Sequence, residues 1–225
     1  VTTNFSRTAN TYTIKFNGNG ATSGSMADLS MTYGTAKNLT TNAFTRTGYT
    51  FFGWSTDASA TTATYTDGQS VSNLASTNGE TVNLYALWRK TITITYNANG
   101  GSGAPSASTG TLYNSAANVS INLSDTKPTR SGYTFGGWTD TQGSTTAKYQ
   151  AGGTYLFNNS ATLYAVWLIN NYDLTIKPNG GTWNNNENDS IVPGDYGTTT
   201  EIANPTPPVG YRITFNGNGG IPGQL

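Results

Sequence analysis

The chain has 225 residues, 35% of them hydrophobic and only 10% charged, with 11 Lys plus Arg balanced by 11 Asp plus Glu. That balance leaves no basic stripe to displace counterions from a phosphate backbone, so nucleic acid is excluded as a partner. Histidine and cysteine are both absent, which rules out imidazole bases, thiol nucleophiles, disulfides and the usual zinc sites; no metal and no cofactor is expected.

Thr, Asn, Ser and Gly supply much of the remainder, a mixture that suits strands and turns better than long amphipathic helices. The first predicted strand spans Thr11 to Phe16, where Tyr12, Ile14 and Phe16 alternate with Thr11, Thr13 and Lys15. "NGNG" (Asn17 to Gly20) stops it, because Asn and Gly accept positive φ at little cost. Next comes "GYTFFGW" (Gly48 to Trp54), with Tyr49 and Phe51 expected on one face and Phe52 and Trp54 on the other. "LYALW" (Leu84 to Trp88) is apolar on both faces, the pattern of a central or covered strand.

The series then starts again. "TITYNANG" (Thr93 to Gly100), "GYTFGGW" (Gly132 to Trp138) and "LYAVW" (Leu163 to Trp167) follow their counterparts by roughly 80 residues. "LTIKPNGG" (Leu174 to Gly181) opens a third copy that departs from the pattern. After "PTPPVGY" (Pro205 to Tyr211) it enters "RITFNGNGG" (Arg212 to Gly220), either an inserted hairpin or an early new module. The expected organisation is therefore module 1 at 10–90, module 2 at 91–170 and a divergent or truncated module 3 at 171–225. The chain reads as an excerpt of something longer.

The combination of NxNGG, TR(T/S)GYTFxGW and LYAxW resembles the Listeria–Bacteroides repeat, the B-repeat of internalin-type bacterial surface proteins. The resemblance implies a mainly β (α+β, β-grasp-like) fold in small modules arranged end to end. It also implies an extracellular place on a bacterial cell surface, wall-associated or secreted, as stalk and adhesion modules.

Trp54, Trp88, Trp138 and Trp167 are expected to anchor small cores rather than to bind sugars. Tyr85 and Tyr164, on the opposite strand face, are the better candidates for ligand contact. Arg46 and Arg130 precede the aromatic clause in both full modules. Each could receive an acidic group bidentately, or lie on a neighbouring ring or pair with a carboxylate of its own module. Asp57 and Asp140 fall one position out of phase, and Asp67 faces Ala151, so no acidic pair recurs and no enzyme is expected. Lys15 and Lys177 raise an isopeptide bond to asparagine, against which stands Thr95 at the equivalent position of module 2. "NNNENDS" (Asn184 to Ser190) lacks the alternating acids of a calcium loop and reads as a polar loop tip.

Both junctions, Arg89 to Thr91 and Leu168 to Asn171, lack the composition of a flexible linker. The expected function is a non-catalytic, semi-rigid stalk or spacer that presents another domain. Its partners would be the neighbouring modules of the same chain, with no membrane insertion in this segment. The alternative is an adhesion module binding glycans or a host surface protein through exposed aromatic and loop residues.

Overall fold

The computed structural model describes residues 6–114, 116–178 and 180–212. The choice between an insertion and a new module over 212–225 turns on residues after 212 and therefore lies outside the described residues. In chain order the strands are β1 (Thr11–Asn17), β2 (Leu29–Thr32), β3 (Lys37–Asn38), β4 (Thr50–Ser55), β5 (Ser70–Val71) and β6 (Glu80–Asn97). They continue as β7 (Ser108–Tyr113), β8 (Val119–Asn122), β9 (Tyr133–Thr139), β10 (Thr154–Phe157), β11 (Ala161–Ile169), β12 (Asn171–Ile176) and β13 (Ser190–Asp195). No helix occurs among the described residues, so the mainly-β expectation holds. Contacts divide the chain into two compact units. The first takes residues up to Thr95 with Ala107–Leu123 and Gly153–Thr162; the second takes Tyr96–Ser106, Ser124–Gly152 and the chain from Leu163.

In the first unit β1 pairs antiparallel with β2 and parallel with β6, while β4 pairs antiparallel with β6. The period-2 alternation of β1 is met in full: Tyr12, Ile14 and Phe16 are buried and Thr11, Lys15 and Asn17 are exposed. Trp54 sits among Phe16 at 5.0 Å, Phe51 at 5.1 Å and Phe44 at 6.3 Å between ring centroids. These tilted and edge-on pairs add to the burial of a large ring that is fully enclosed.

The aromatic clause departs from simple alternation. Phe51 stands opposite Trp88 and Gly53 opposite Leu87, so Phe52 is an extra residue in β4. This bulge corrects the expected facing: Phe51 joins Trp54 against the core, and Phe52 meets Tyr113 instead, at 5.6 Å. Gly53 makes the bend possible with φ +141; a Cβ there would lie 2.5 Å from the Ala63 methyl and 2.7 Å from the Tyr65 carbonyl oxygen.

The longest strand is β6, at 18 residues. It unites the closing strand of the first repeat with the opening strand of the second, with no turn at Lys90 or Thr91. Leu84, Ala86, Leu87, Trp88, Ile92 and Ile94 along it are all buried, as a strand covered on both faces requires. β7 pairs with it from Arg89 to Ile94, across the repeat boundary, and β8 and β10 form a small antiparallel pair in the same unit.

In the second unit β9 pairs antiparallel with β11, and the shift between Val166 and Trp167 marks a second bulge. Gly136 is its extra residue, and Gly137 at φ +128 takes the place of Gly53. Trp138 is fully buried beside Tyr96 at 4.9 Å and Phe135 at 5.0 Å. β12 and β13 form a separate antiparallel hairpin.

Candidate functional site

The three recurring motifs meet at one point in each complete repeat. In the first, the Asn17 side chain accepts the Asn19 N–H at 2.9 Å, which bends the chain and holds Asn19 at φ +46. The Asn19 amide then donates to the carbonyls of Ala58 and Ala86, at 2.8 and 2.9 Å. The Trp88 indole N–H donates to the Gly18 carbonyl at 2.8 Å. The second repeat repeats the clasp: Asn99, at φ +49, donates to Ala165 at 2.9 Å, and the Trp167 indole N–H reaches the Ala98 carbonyl at 3.0 Å. Each NxN turn thus ties the amide of its second asparagine to the closing strand. Such residues recur for folding reasons.

The two arginines sit at the same clasp. The Arg46 guanidinium lies 4.1 Å from the Tyr49 ring centroid and its Nη1 donates to the Asn19 carbonyl at 3.5 Å; Arg130 lies 3.9 Å from the Tyr133 ring. Tyr85 and Tyr164 are half-buried; the first stands between Asn17 and Ser55 in register, the second opposite Thr139. The four candidates are therefore spread over two repeats and two chemistries, cation–aromatic pairs and strand tyrosines, and make no single constellation.

The carboxylates serve local turns. Asp57 accepts from the Ser59 hydroxyl and N–H, which hold its carboxyl below the usual range. Asp140 is lowered first by its bond from Lys148, whose ammonium is raised in return; both groups face solvent. Lys15 is exposed and Lys177 forms an exposed pair with Asp189 at 3.7 Å, so neither offers the buried amine an isopeptide bond needs. Among the described residues no three acidic side chains gather to hold a metal ion.

Two features escape sequence reading. Asn114, only 2% exposed, accepts the Trp88 N–H at 2.9 Å, returns its own N–H to the Trp88 carbonyl at 2.8 Å, and donates to the Ala60 carbonyl at 2.7 Å. It ties β7 of the second repeat to β6 and to a loop of the first, all within one compact unit. Beside it runs an uncharged groove of about 460 Å³, lined by Ser59, Thr61, Thr111, Tyr113, Asn118 and Ser120 among others. The signal in the sequence is slight: Tyr113-Asn114 stands where Tyr33-Gly34 and Tyr196-Gly197 stand, and all three second residues have positive φ.

The family model of the Listeria–Bacteroides repeat domain matches residues 12–86 and 93–166. A protein of Evansella cellulosilytica named "Putative Gly-rich membrane protein" is 32% identical over 175 residues, 76% of this chain and 19% of its own length. The chain therefore spans about a fifth of that relative. No solved structure matches. Among the described residues no helix is long and apolar enough to cross a membrane.

Proposed function

This chain belongs to the Listeria–Bacteroides repeat domain family, and we propose that it is a non-catalytic, semi-rigid stalk segment of an extracellular bacterial surface protein, spacing another domain from the cell. One observation carries this reading: the first repeat ends and the second begins inside a single strand, β6, to which β7 is hydrogen-bonded across the boundary. A joint made of ladder hydrogen bonds resists bending in a way that a Gly/Ser linker does not. The second asparagine and the closing tryptophan of each complete repeat support it too, since their polar groups bond within the repeat.

Small-angle scattering tests the proposal. Repeats laid end to end should give a maximum dimension of about 80–100 Å, whereas 225 residues in one globule span about 45 Å. A value near the lower figure would sink the stalk reading.

A second reading, adhesion to a neutral glycan, is favoured by the groove beside Asn114, whose lining offers hydroxyls, an amide and the Tyr113 ring without any charge. Oligosaccharide titration that shifts the Tyr113 and Asn118 amides would support it. Unchanged amides at millimolar sugar would remove it.

A further inference from the structure

The joint between the two complete repeats carries polar side chains that the fold does not use. The groove beside Asn114 takes one wall from each repeat: Ser59 and Thr61 follow the first aromatic clause, while Thr111, Tyr113, Asn118 and Ser120 belong to β7, β8 and the turn between them. All of these residues lie in the first compact unit. The Ser59 hydroxyl donates to Asp57 at 2.7 Å. Thr61, Thr111, Asn118 and Ser120 make no side-chain hydrogen bond among the described residues, and neither does the Tyr113 hydroxyl. The second asparagine and closing tryptophan of each repeat, by contrast, are bonded inside it. Unused donors and acceptors thus converge on one uncharged groove of about 460 Å³, within the ~300–1,000 Å³ range of ligand pockets.

The groove is tied mechanically to the joint. The Ala60 carbonyl, between Ser59 and Thr61, accepts the Asn114 side-chain amide at 2.7 Å, and Asn114 also bonds both the N–H and the carbonyl of Trp88. Phe52, the bulge residue of β4, holds the Tyr113 ring in edge contact at 5.6 Å, and the Arg89 guanidinium lies 5.8 Å from the Phe52 ring. A ring fixed before a ligand arrives costs less to order on binding. Gly136 and Gly197 stand in place of Phe52 and Asn114 in the following copies, so neither side chain is a requirement of the repeat.

We infer that this groove is a ligand-operated clamp: a neutral oligosaccharide that bonds both walls holds the joint between the repeats closed. The clamp rests on the adhesion reading and adds regulation to it. Opening the joint breaks the bond from Asn114 to Ala60 and parts the walls, so the open state has no complete site. A ligand that binds only the closed state stabilises it by the factor 1 + [L]/Kd. Neutral sugars suit the walls, because sugar hydroxyls donate and accept as Ser, Thr and Asn do, and no charge has to be desolvated. Occupancy then stiffens the segment in which β6 crosses the repeat boundary.

The test uses the 225-residue protein with cellotriose, maltotriose and di-N-acetylchitobiose as probes. Titration first identifies which sugar shifts the Tyr113 and Asn118 amides, and amide hydrogen exchange is then measured with and without it. At ten times Kd, exchange at the Trp88 and Asn114 amides should slow by about elevenfold. Exchange at Trp138, in the second compact unit, should stay as it was. Thr61→Val and Ser120→Ala, one on each wall, should each weaken binding by about fivefold. Each removes an exposed hydroxyl with no bond inside the protein, so exchange without sugar should match the wild type. Amide shifts accompanied by unchanged exchange at Trp88, or by equal slowing at Trp138, would overturn the clamp and leave the adhesion reading standing. Wild-type affinity in either variant would do the same, since it would seat the sugar on a single wall. No shift with any of the three sugars would remove the adhesion reading and the clamp together.

Discussion

Trp54 and Trp138 hold equivalent places and are equally buried, yet their indole nitrogens differ. Trp54 Nε1 points to the Asp67 carboxylate at 3.4 Å, and the same oxygen accepts the Asn42 N–H at 2.9 Å. The second repeat has Ala151 in place of Asp67, and the buried Trp138 Nε1 has no acceptor among the described residues. A buried donor without a partner costs on the order of 1–3 kcal/mol. Ala151→Asp should restore the bond and raise stability by about 1 kcal/mol after the carboxylate's own desolvation, read as a higher urea midpoint. A lower midpoint would show that the indole gains nothing from a carboxylate there. Glycine provides a second comparison at this scale. A Cβ on Gly34, at φ +83, would meet nothing within 4 Å, whereas one on Gly137, at φ +128, would lie 2.8 Å from the Ala147 methyl and from the Tyr149 carbonyl. Gly34→Ala should therefore cost about 1 kcal/mol from φ alone, and Gly137→Ala about 3 kcal/mol, with denaturant midpoints separating the two. Equal losses would mean that the bulge relaxes around the methyl group.

Among the elements, β1 was legible almost completely, because Tyr12, Ile14 and Phe16 keep strict period 2 on a strand with one buried face. β4 was legible as a strand but not in its facing: a bulge adds one residue without leaving a mark on composition, and only the glycine after Phe52 hints at it. The continuity of β6 was hidden for a different reason. Arg89, Lys90 and Thr91 look like a polar connection, and what keeps them extended is the pairing of Arg89, Lys90 and Thr91 with Tyr113, Leu112 and Thr111, contacts some twenty residues away in sequence. Asn114 was missed because its three hydrogen bonds reach Trp88 and Ala60, partners that no local pattern connects to it. The candidate contacts fared alike: the Arg46 and Arg130 positions follow from their motifs, while the rings that they cover follow only from the turn at Gly48 and Gly132. Asn114→Ala strips a buried joint of two side-chain bonds and leaves the Trp88 N–H unpaired. The expected cost is about 2–4 kcal/mol, with faster hydrogen exchange at the Trp88 amide and along β7. Unchanged exchange there would show that the strand pairing alone holds the joint.

For the molecule as a whole, the question is whether the repeats behave as independent beads or as a cooperative array. Each repeat contributes its own aromatic core, and stability in such arrays is a sum of unit terms and nearest-neighbour terms. A shared strand makes the neighbour term large, because β6 cannot lose its pairing at Tyr85 without disturbing the ladder that begins again at Arg89. Trp54→Ala removes the centre of the first core, where Phe16, Phe44 and Phe51 converge, and should cost about 3–5 kcal/mol. If the repeats are coupled, this loss is not confined to the first core. Amide exchange should accelerate at Ile92 and Ile94, which the substitution does not touch, and the acceleration should fade toward β9 and β11. The reciprocal variant, Trp138→Ala, should reach Ile94 before it reaches Tyr12. Beads on a string would give a different record: exchange faster through the first repeat as far as Trp88, and wild-type rates from Ile92 onward. That result would leave β6 continuous in form but uncoupled in energy, and would remove the shared strand as support for the proposed stalk.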